Sequence, residues 1–390
     1  MTLLKDIVQI EKGRKYNLLE EIHEGAIRVF QANDFRNENK PLYTLDSDGV
    51  LAQEDDIMLV WDGSVGQMGF GRSGYVGSTM VKLKVKNKKQ FSPFFIYRFL
   101  QTKSEYLKRK ATGATIMHIN RKSLEQLEIP DLEIDDQLHI ANLLNKAENL
   151  IVQRKESIRL LDEFLKSTFL EMFGDPVRNE KGFEIRNLKE FYLNPKEGTK
   201  CGPFGSALKK NEYTECGIPV WIMDNILKTG EFNEKGCLFV NEEKYLELER
   251  YNVNNDDIII SRAGTVGKMC IIKTNAEKSL ISTNLIRLRL NKNLKPIFFF
   301  SLMKYCQSRL IKLKHGNEDA YTHMSTGILD KIDFPYPPIE LQTQFARIVE
   351  KTEALKTQYQ QSLQELENLY GSLSQKAFRG ELEVKKATTV

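Results

Sequence analysis

The chain has 390 residues, with 57 lysines and arginines against 53 aspartates and glutamates and 41% hydrophobic residues. That length predicts two or three soluble globular domains, and a formal net charge of +4 is too small to name a nucleic-acid partner by itself. No apolar run reaches the ~18–20 residues of a membrane span. Met1-Thr2-Leu3-Leu4-Lys5-Asp6 lacks the basic stretch and apolar core of a signal peptide, and five cysteines without a CxxC pair (Cys201, Cys216, Cys237, Cys270, Cys306) argue against a disulfide framework or zinc ribbon and for reduced thiols in a cytoplasmic protein.

From the N-terminus, the first clear strand is Asp56-Ile57-Met58-Leu59-Val60, a buried apolar run that opens into the loop Gly63-Ser64-Val65-Gly66. Val81-Lys82-Leu83-Lys84-Val85-Lys86 alternates apolar and basic residues, which puts the lysines of a strand on one face. Pro93 and an amphipathic helix from Phe94 to Lys110 follow. Charge concentrates here: thirteen Lys/Arg and one acid, Glu105, lie between Arg72 and Lys122, whereas residues 1–71 carry seven basic and thirteen acidic groups. From Asp135 to about Phe173, the positions Ile140, Leu144, Ala147, Ile151, Arg154, Ile158, Leu161, Leu165, Thr168 and Met172 form a heptad stripe, apolar at eight of ten places.

The series then returns. Asp257-Ile258-Ile259-Ile260-Ser261 is the strand, Ile286-Arg287-Leu288-Arg289-Leu290 the alternating run, and Pro296 with Ile297 to Lys314 the helix. Arg287 to His315 holds eight Lys/Arg and no acid. Pro335, Pro337 and Pro338 stop this domain. A second stripe runs through Phe345, Val349, Thr352, Lys356, Tyr359, Leu363, Leu366, Tyr370, Leu373 and Ala377. A helix of nearly 40 residues spans roughly 55–60 Å and needs a partner for its stripe. The two are expected to pack antiparallel, with Arg154 and Lys356 snorkelling to water where they interrupt the pattern.

These series are one unit written twice. Ile129-Pro130 and Phe334-Pro335 stand 205 positions apart, and His118/His323, Gln137/Gln342 and Phe173/Phe378 keep that offset. Asp56-Ile57 and the first glycine loop meet Asp257-Ile258 and Gly264-Thr265-Val266-Gly267 at an offset of 201, and Gly13 and Lys15 meet Gly198 and Lys200 at 185. The predicted fold is α+β: two mixed α/β domains in tandem pseudo-repeat, separated by two long helices packed as an antiparallel coiled coil. The boundaries are a first domain at 1–134, a first helix at 135–177, a second domain at 178–338 and a second helix with its tail at 339–390.

Motifs for chemistry are lacking. Gly69-Phe70-Gly71-Arg72-Ser73-Gly74 spells GxGxxG, but a strand pattern follows where a dinucleotide site needs a helix. Pro130-Asp131-Leu132-Glu133 lacks the lysine of a nuclease of that pattern, and His23, His118, His139, His315 and His323 hold no metal-ligand spacing. No catalytic, cofactor or metal site is expected. His118 and His323 are assigned a structural place at the junction of each domain with its helix.

Cys201-Gly202-Pro203-Phe204-Gly205-Ser206-Ala207-Leu208-Lys209-Lys210, followed by Gly217-Ile218-Pro219-Val220 and Asp224-Asn225-Ile226, resembles the start of a recognition domain in the specificity subunits of type I restriction-modification complexes. Ser261-Arg262-Ala263-Gly264-Thr265-Val266-Gly267 is similar to that domain's central motif, and Ser372 to Leu382 resembles the family's second helix. The resemblance covers essentially the whole chain. It implies a non-catalytic subunit whose domains each read one half of a split double-stranded DNA target. The helices then set the spacer and dock two methylation subunits, which motor-nuclease subunits join. The methyl donor and ATP belong to those partners, so no cofactor is expected here. The first domain departs from the pattern: it shows no counterpart of Gly-Pro-Phe-Gly, and Trp61-Asp62 stand for Arg262-Ala263.

The candidate DNA contacts follow. In the first domain they are Lys15, Gly63, Ser64, Gly66, Arg72, Lys82 and Lys84; in the second, Lys200, Lys209, Lys210, Arg262, Gly264, Thr265, Gly267, Lys268, Arg287 and Arg289. Glycines let backbone approach DNA closely, Arg262 can fork onto a guanine, and Lys82, Lys84, Arg287 and Arg289 suit phosphates. A helical scaffold that binds only proteins is the alternative, and the basic element repeated in both copies argues against it.

Overall fold

The computed structural model describes residues 1–35, 40–204, 207–262, 268–315 and 324–382. The chain forms two compact units, Met1–Glu156 with Tyr359–Val390, and Ser157–Gln358.

In the first unit, β1 (Thr2–Leu3), α1 (Leu4–Ile7), β2 (Val8–Lys12), β3 (Ile27–Phe30), β4 (Leu42–Thr44), β5 (Leu51–Ala52), β6 (Ile57–Val60), β7 (Met68–Gly69), β8 (Gly74–Val76) and β9 (Met80–Val85) lead to α2 (Pro93–Thr102), α3 (Ser104–Lys110), α4 (Arg121–Glu125), β10 (Glu128–Ile129) and the start of α5 (Ile134–Phe173). The strands form sheets in the orders β2-β9-β6-β7 and β4-β3-β8-β5, with a separate pair β1-β10. β6 explains its own unbroken apolar sequence. Ile57 and Leu59 face a core with Phe95 and Phe99 of α2, and Met58 and Val60 face a second core with Phe30 and Val76, so both faces are covered.

The second unit repeats this plan. It contains β11 (Glu184–Asn187), β12 (Thr199–Cys201), β13 (Ile218–Trp221), β14 (Leu238–Val240), α6 (Glu242–Leu248), β15 (Ile258–Ser261), β16 (Met269–Ile271), β17 (Leu280–Ile281), β18 (Leu285–Leu288), α7 (Pro296–His315), α8 (Thr326–Leu329), β19 (Asp333–Tyr336) and the start of α9 (Ile339–Arg379). Its sheets run β12-β18-β15-β16 and β14-β13-β17, with a pair β11-β19. Each unit has a parallel strand pair in the same place, β3 with β8 and β13 with β17. The amphipathic run from Phe94 to Lys110 breaks at Lys103 into α2 and α3, whereas its counterpart is the single helix α7.

Strand pairing corrects the repeat upstream. The Gly13 N–H donates to the Met80 carbonyl at 2.9 Å, and the Gly202 N–H to the Leu285 carbonyl at 2.9 Å. A Cβ on Gly13 would lie 2.2 Å from the Gly77 carbonyl oxygen, and one on Gly202 would lie 1.9 Å from that of Ser282. Both positions must be glycine because backbone passes directly over them. Gly13 therefore answers to Gly202 and not to Gly198, and Lys15 to Phe204 and not to Lys200. The first domain does carry a counterpart of Gly202-Pro203-Phe204, namely Gly13-Arg14-Lys15. Two matching letters constrain an alignment less than a ladder of hydrogen bonds does.

Each unit includes a part of both long helices, and in each unit these parts pack antiparallel. In the first unit Ile140, Ala141 and Leu144 share a core with Ala377 and Phe378, and Arg154 lies 4.3 Å over the ring of Tyr359. In the second, Phe169 meets Phe345 at 5.4 Å between centroids, and Asp162 meets Lys356 at 2.9 Å. The two cations in the stripe do not snorkel. Arg154 stacks on the residue that holds its own place in the second copy. Lys356 is buried and paired with Asp162 and with Glu231 at 3.2 Å. Burial opposes its charge, but Asp162, Glu353 and Glu231 together more than offset this and leave its pKa raised.

A buried glutamine docks each mixed body on its helix. Gln137 and Gln342 are both fully buried. Gln137 Oε1 accepts from the Ser92 N–H at 2.9 Å, and its Nε2 donates to the carbonyls of Gln90 (2.8 Å) and Leu132 (2.9 Å). Gln342 Oε1 accepts from the Lys295 N–H at 2.9 Å, and its Nε2 donates to the Pro337 carbonyl at 2.9 Å. Gln137→Leu or Gln342→Leu strands those backbone groups without partners and is expected to destabilise the protein by at least about 2 kcal/mol, measured by urea unfolding. An unchanged midpoint would remove these glutamines from the docking role.

Candidate nucleic-acid interface

At one end of the first unit's larger sheet, β2 and β6 leave and β9 enters. The Thr79 carbonyl there accepts from the N–H groups of Trp61 (2.9 Å) and Asp62 (3.0 Å), fixing the chain as it leaves β6. Gly63 follows at φ +85 with open space where a Cβ would sit. Its N–H donates to the Met117 carbonyl at 2.8 Å, and the Ile119 N–H donates to the Trp61 carbonyl at 2.9 Å. These bonds stitch the loop Thr112–His118 against the β6 exit. Thr112 and His118 close that loop by exchanging backbone bonds of 2.9 and 2.7 Å. Ile116 and Met117 stand out from it, 54% and 40% exposed.

The Asp62 carboxylate accepts from Lys12 Nζ at 2.6 Å and from His118 Nδ1 at 2.7 Å. Burial works to raise its pKa, but the bonds from His118 and Lys12 outweigh it and hold the carboxyl below its ordinary range. His118 is thus bound to the β6 exit and not placed at the junction of domain and helix. Its counterpart His323 lies outside the described residues.

The second unit builds the same end with other side chains. The Arg262 N–H donates to the Asn284 carbonyl at 2.9 Å, and the Arg262 carbonyl accepts from the Met324 N–H at 3.0 Å, matching the Trp61–Ile119 bond of the first copy. The Arg262 guanidinium lies 4.7 Å over the ring of Phe204, which is 57% exposed. Lys268 is next to it, its carbonyl accepting from the Ser261 N–H at 2.8 Å. Gly264, Thr265 and Gly267 lie outside the described residues. Both copies so present an aromatic–cation pair here, with the parts exchanged. The strand exit supplies the aromatic ring in Trp61 with Lys12, 6.0 Å over it, and the cation in Arg262 with Phe204.

Of the other candidates, Lys15 is exposed just beyond β2, and Ser64 is half-buried beside Gly63. Gly66 is buried and turns inward: a Cβ there would lie 2.9 Å from Ser104 Oγ, which donates to the Gly66 carbonyl at 2.9 Å. Arg72 is exposed in the turn joining β7 to β8, and Lys84 is exposed opposite Gln9; both lie toward the other end of the sheet. Lys209 and Lys210 are exposed, and Lys200 is half-buried, 4.0 Å from Glu197.

Lys82, Arg287 and Arg289 are committed to the interior. Period-two alternation assigns them a face, but at Lys82 and Arg287 that face is covered by the second sheet, while Lys84 on the same face stays exposed. Lys82 Nζ donates to the Leu51 carbonyl at 3.1 Å and pairs with Glu11 at 2.7 Å. Arg287, 0% exposed, holds the same place: it donates to the Asn252 carbonyl at 2.6 Å and pairs with Glu197 at 2.5 Å. Burial and the neighbouring Arg289 lower its pKa, and the nearby carboxylates of Asp257 and Glu197 work against that. Arg289 pairs with Asp257 at 2.7 Å. Conversely, Arg109, Lys110 and Lys122 flank the Thr112–His118 loop, are exposed, and make no ion pair among the described residues. The cluster Lys108-Arg109-Lys110 was their signal in the sequence. Among the described residues no group of side chains could hold a metal ion, and no helix is long and apolar enough to cross a membrane.

A family model described as the type I restriction modification DNA specificity domain matches residues 2–160 and 181–368. The chain is 27% identical over 349 residues to the type I restriction enzyme MjaVIII specificity subunit of Methanocaldococcus jannaschii, covering 86% of this chain and 81% of that one. Its fold resembles the crystal structure of the type I restriction-modification system S subunit from M. genitalium, with a TM-score of 0.61 at 19% identity over 98% of this chain and 96% of that one. A chain from a study of complex assembly and conformational transition in the type I R-M system matches with a TM-score of 0.53 at 14% identity, over 98% and 97% of the two chains.

The two arginine sites separate by stability. Arg287→Ala removes a fully buried side chain with its bonds to Glu197 and the Asn252 carbonyl, and is expected to cost at least about 2 kcal/mol in urea unfolding. Arg262→Ala loses a ring contact at the surface, about 1 kcal/mol or less. A small effect of Arg287→Ala would return that residue to the surface candidates.

Proposed function

The chain belongs to the type I restriction-modification DNA specificity family, and from that premise we propose that it is the sequence-reading subunit of a type I restriction-modification complex, with each unit reading one half of a bipartite double-stranded target. The observation that carries this reading is the strand end shared by two equivalent sheets, where the same backbone bonds (Ile119 to Trp61, Met324 to Arg262) hold unlike side chains. Equivalent frames fitted with different readers suit two different half-sites. The recognition domains are 1–134 and 178–338. The helical segments 135–177 and 339–390 set the spacer and dock two methylation subunits, with motor-nuclease subunits joining the assembled complex. The chain itself is non-catalytic and cytoplasmic. The methyl donor and ATP bind its partners.

Base-edge readers in this proposal are the Gly63-Ser64 turn, Arg262 and the Gly264, Thr265 and Gly267 loop. Phosphate contacts are Lys15, Arg72, Lys84, Lys200, Lys209, Lys210 and Lys268, together with Arg109, Lys110 and Lys122. Gly66, Lys82, Arg287 and Arg289 act from inside the fold.

The test is methylated-adenine mapping by long-read sequencing in a host that co-expresses this chain with its neighbouring methylation subunit. A new split motif with two unlike halves is expected. An assembled complex with no new motif would favour a protein-binding scaffold instead. Deleting one heptad from each of α5 and α9 is expected to change the spacer and leave both half-sites intact; altered half-site bases would overturn the spacer role.

A further inference from the structure

We propose that His118 is a specificity-determining residue for the first half-site, reading an exocyclic amino group on a base edge, and that Asp62 is its positioning residue. This deepens the DNA-reading assignment above and rests on it.

An ionised carboxylate only accepts hydrogen bonds. The proton between Asp62 Oδ1 and His118 Nδ1, 2.7 Å apart, therefore sits on Nδ1. In the neutral ring that fixes the tautomer, with the lone pair on Nε2. Nε2 has no partner among the described residues, and the side chain is 50% exposed. The ring is held from two sides, by the backbone pair with Thr112 and by an Asp62 that Lys12 also grips at 2.6 Å. A fixed acceptor on an exposed loop matches the donors of the major groove, the N4 amino group of cytosine and the N6 amino group of adenine. Ile116 and Met117 beside it offer the apolar surface that a thymine methyl group meets, and Arg109, Lys110 and Lys122 supply charge for the flanking phosphates. The second copy lacks this carboxylate in its sequence. The second copy has Ala263 where the first has Asp62, and a methyl group cannot orient an imidazole.

The test uses the full chain in complex with its methylation subunit, on duplexes carrying the mapped target. Each adenine of the first half-site is replaced in turn by purine, which lacks N6, and each cytosine by pyrimidin-2-one, which lacks N4. One replacement is expected to weaken wild-type binding by about 5- to 100-fold and to cost His118→Ala nothing further. Methylation maps of His118→Ala should lose discrimination at that one position and keep the second half-site. Asp62→Ala should behave likewise, with Asp62→Asn, which still offers an acceptor to Nδ1, restoring part of the effect. Equal weakening on all sequences, an unchanged motif, or a wild-type complex indifferent to every amino-group deletion in that half-site overturns the proposal. A wild-type complex that recognises no split motif would instead overturn the reading on which it rests.

Discussion

A buried amide has to find partners for both of its ends, and at Gln137 and Gln342 the oxygen takes a backbone N–H at the start of a second helix while the nitrogen gives to carbonyls, of Gln90 and Leu132 in one and of Pro337 in the other. That requirement ties α2 to α5 and α7 to α9 at one defined register. In the first unit it is reinforced by Arg98, buried and bonded to Glu148 and Asn145 of α5. With α2 fixed, Phe95 and Phe99 back the sheet that carries β6 and β9, and the loops leaving that sheet inherit their positions. An apolar contact would attach helix to body, but it tolerates sliding. A fully bonded amide does not, because a shift of one residue leaves every partner unpaired.

Much of this was legible as sequence and some of it could not be. The two copies, the long helices and the strands at Ile57–Val60 and Ile258–Ser261 announce themselves, since periodicity and repetition need no knowledge of neighbours. The face of Lys82 and Arg287 was legible as well. What covers that face was not, because the cover comes from Leu51 and Asn252, residues whose approach depends on the whole sheet stack. The register of Gly13 was misread for a similar reason: the carbonyl that demands a glycine there belongs to Gly77, and nothing local to Gly13 records it. At Arg154 and Lys356 the stripe recorded an interruption but not its remedy, a ring in one case and two carboxylates in the other.

The candidate interface divides into a shared backbone frame and divergent side chains along the same line. Hydrogen bonds made by main chain, from Ile119 to Trp61 and from Met324 to Arg262, recur in both units. Side chains at those places diverge, tryptophan and aspartate in one and arginine and alanine in the other. Backbone bonds accept nearly any side chain, so these side chains can be exchanged without rebuilding what holds them. Lys82 and Arg287 belong to the frame, which is why they keep the same carbonyl partner in both copies while Asp62 and Ala263 share nothing.

The ring of Phe378 packs between Phe95 and Phe99, at 5.4 and 5.3 Å between centroids, from roughly 280 positions further along the chain. The ribosome delivers α9 only after the entire second unit. At ~5–20 residues per second, the first unit waits on the order of tens of seconds with that aromatic surface bare. A chain that stops before residue 359 keeps this aromatic face uncovered by α9. The order of synthesis thus sets when the first body is completed: it is finished only by α9, which follows the whole of the second.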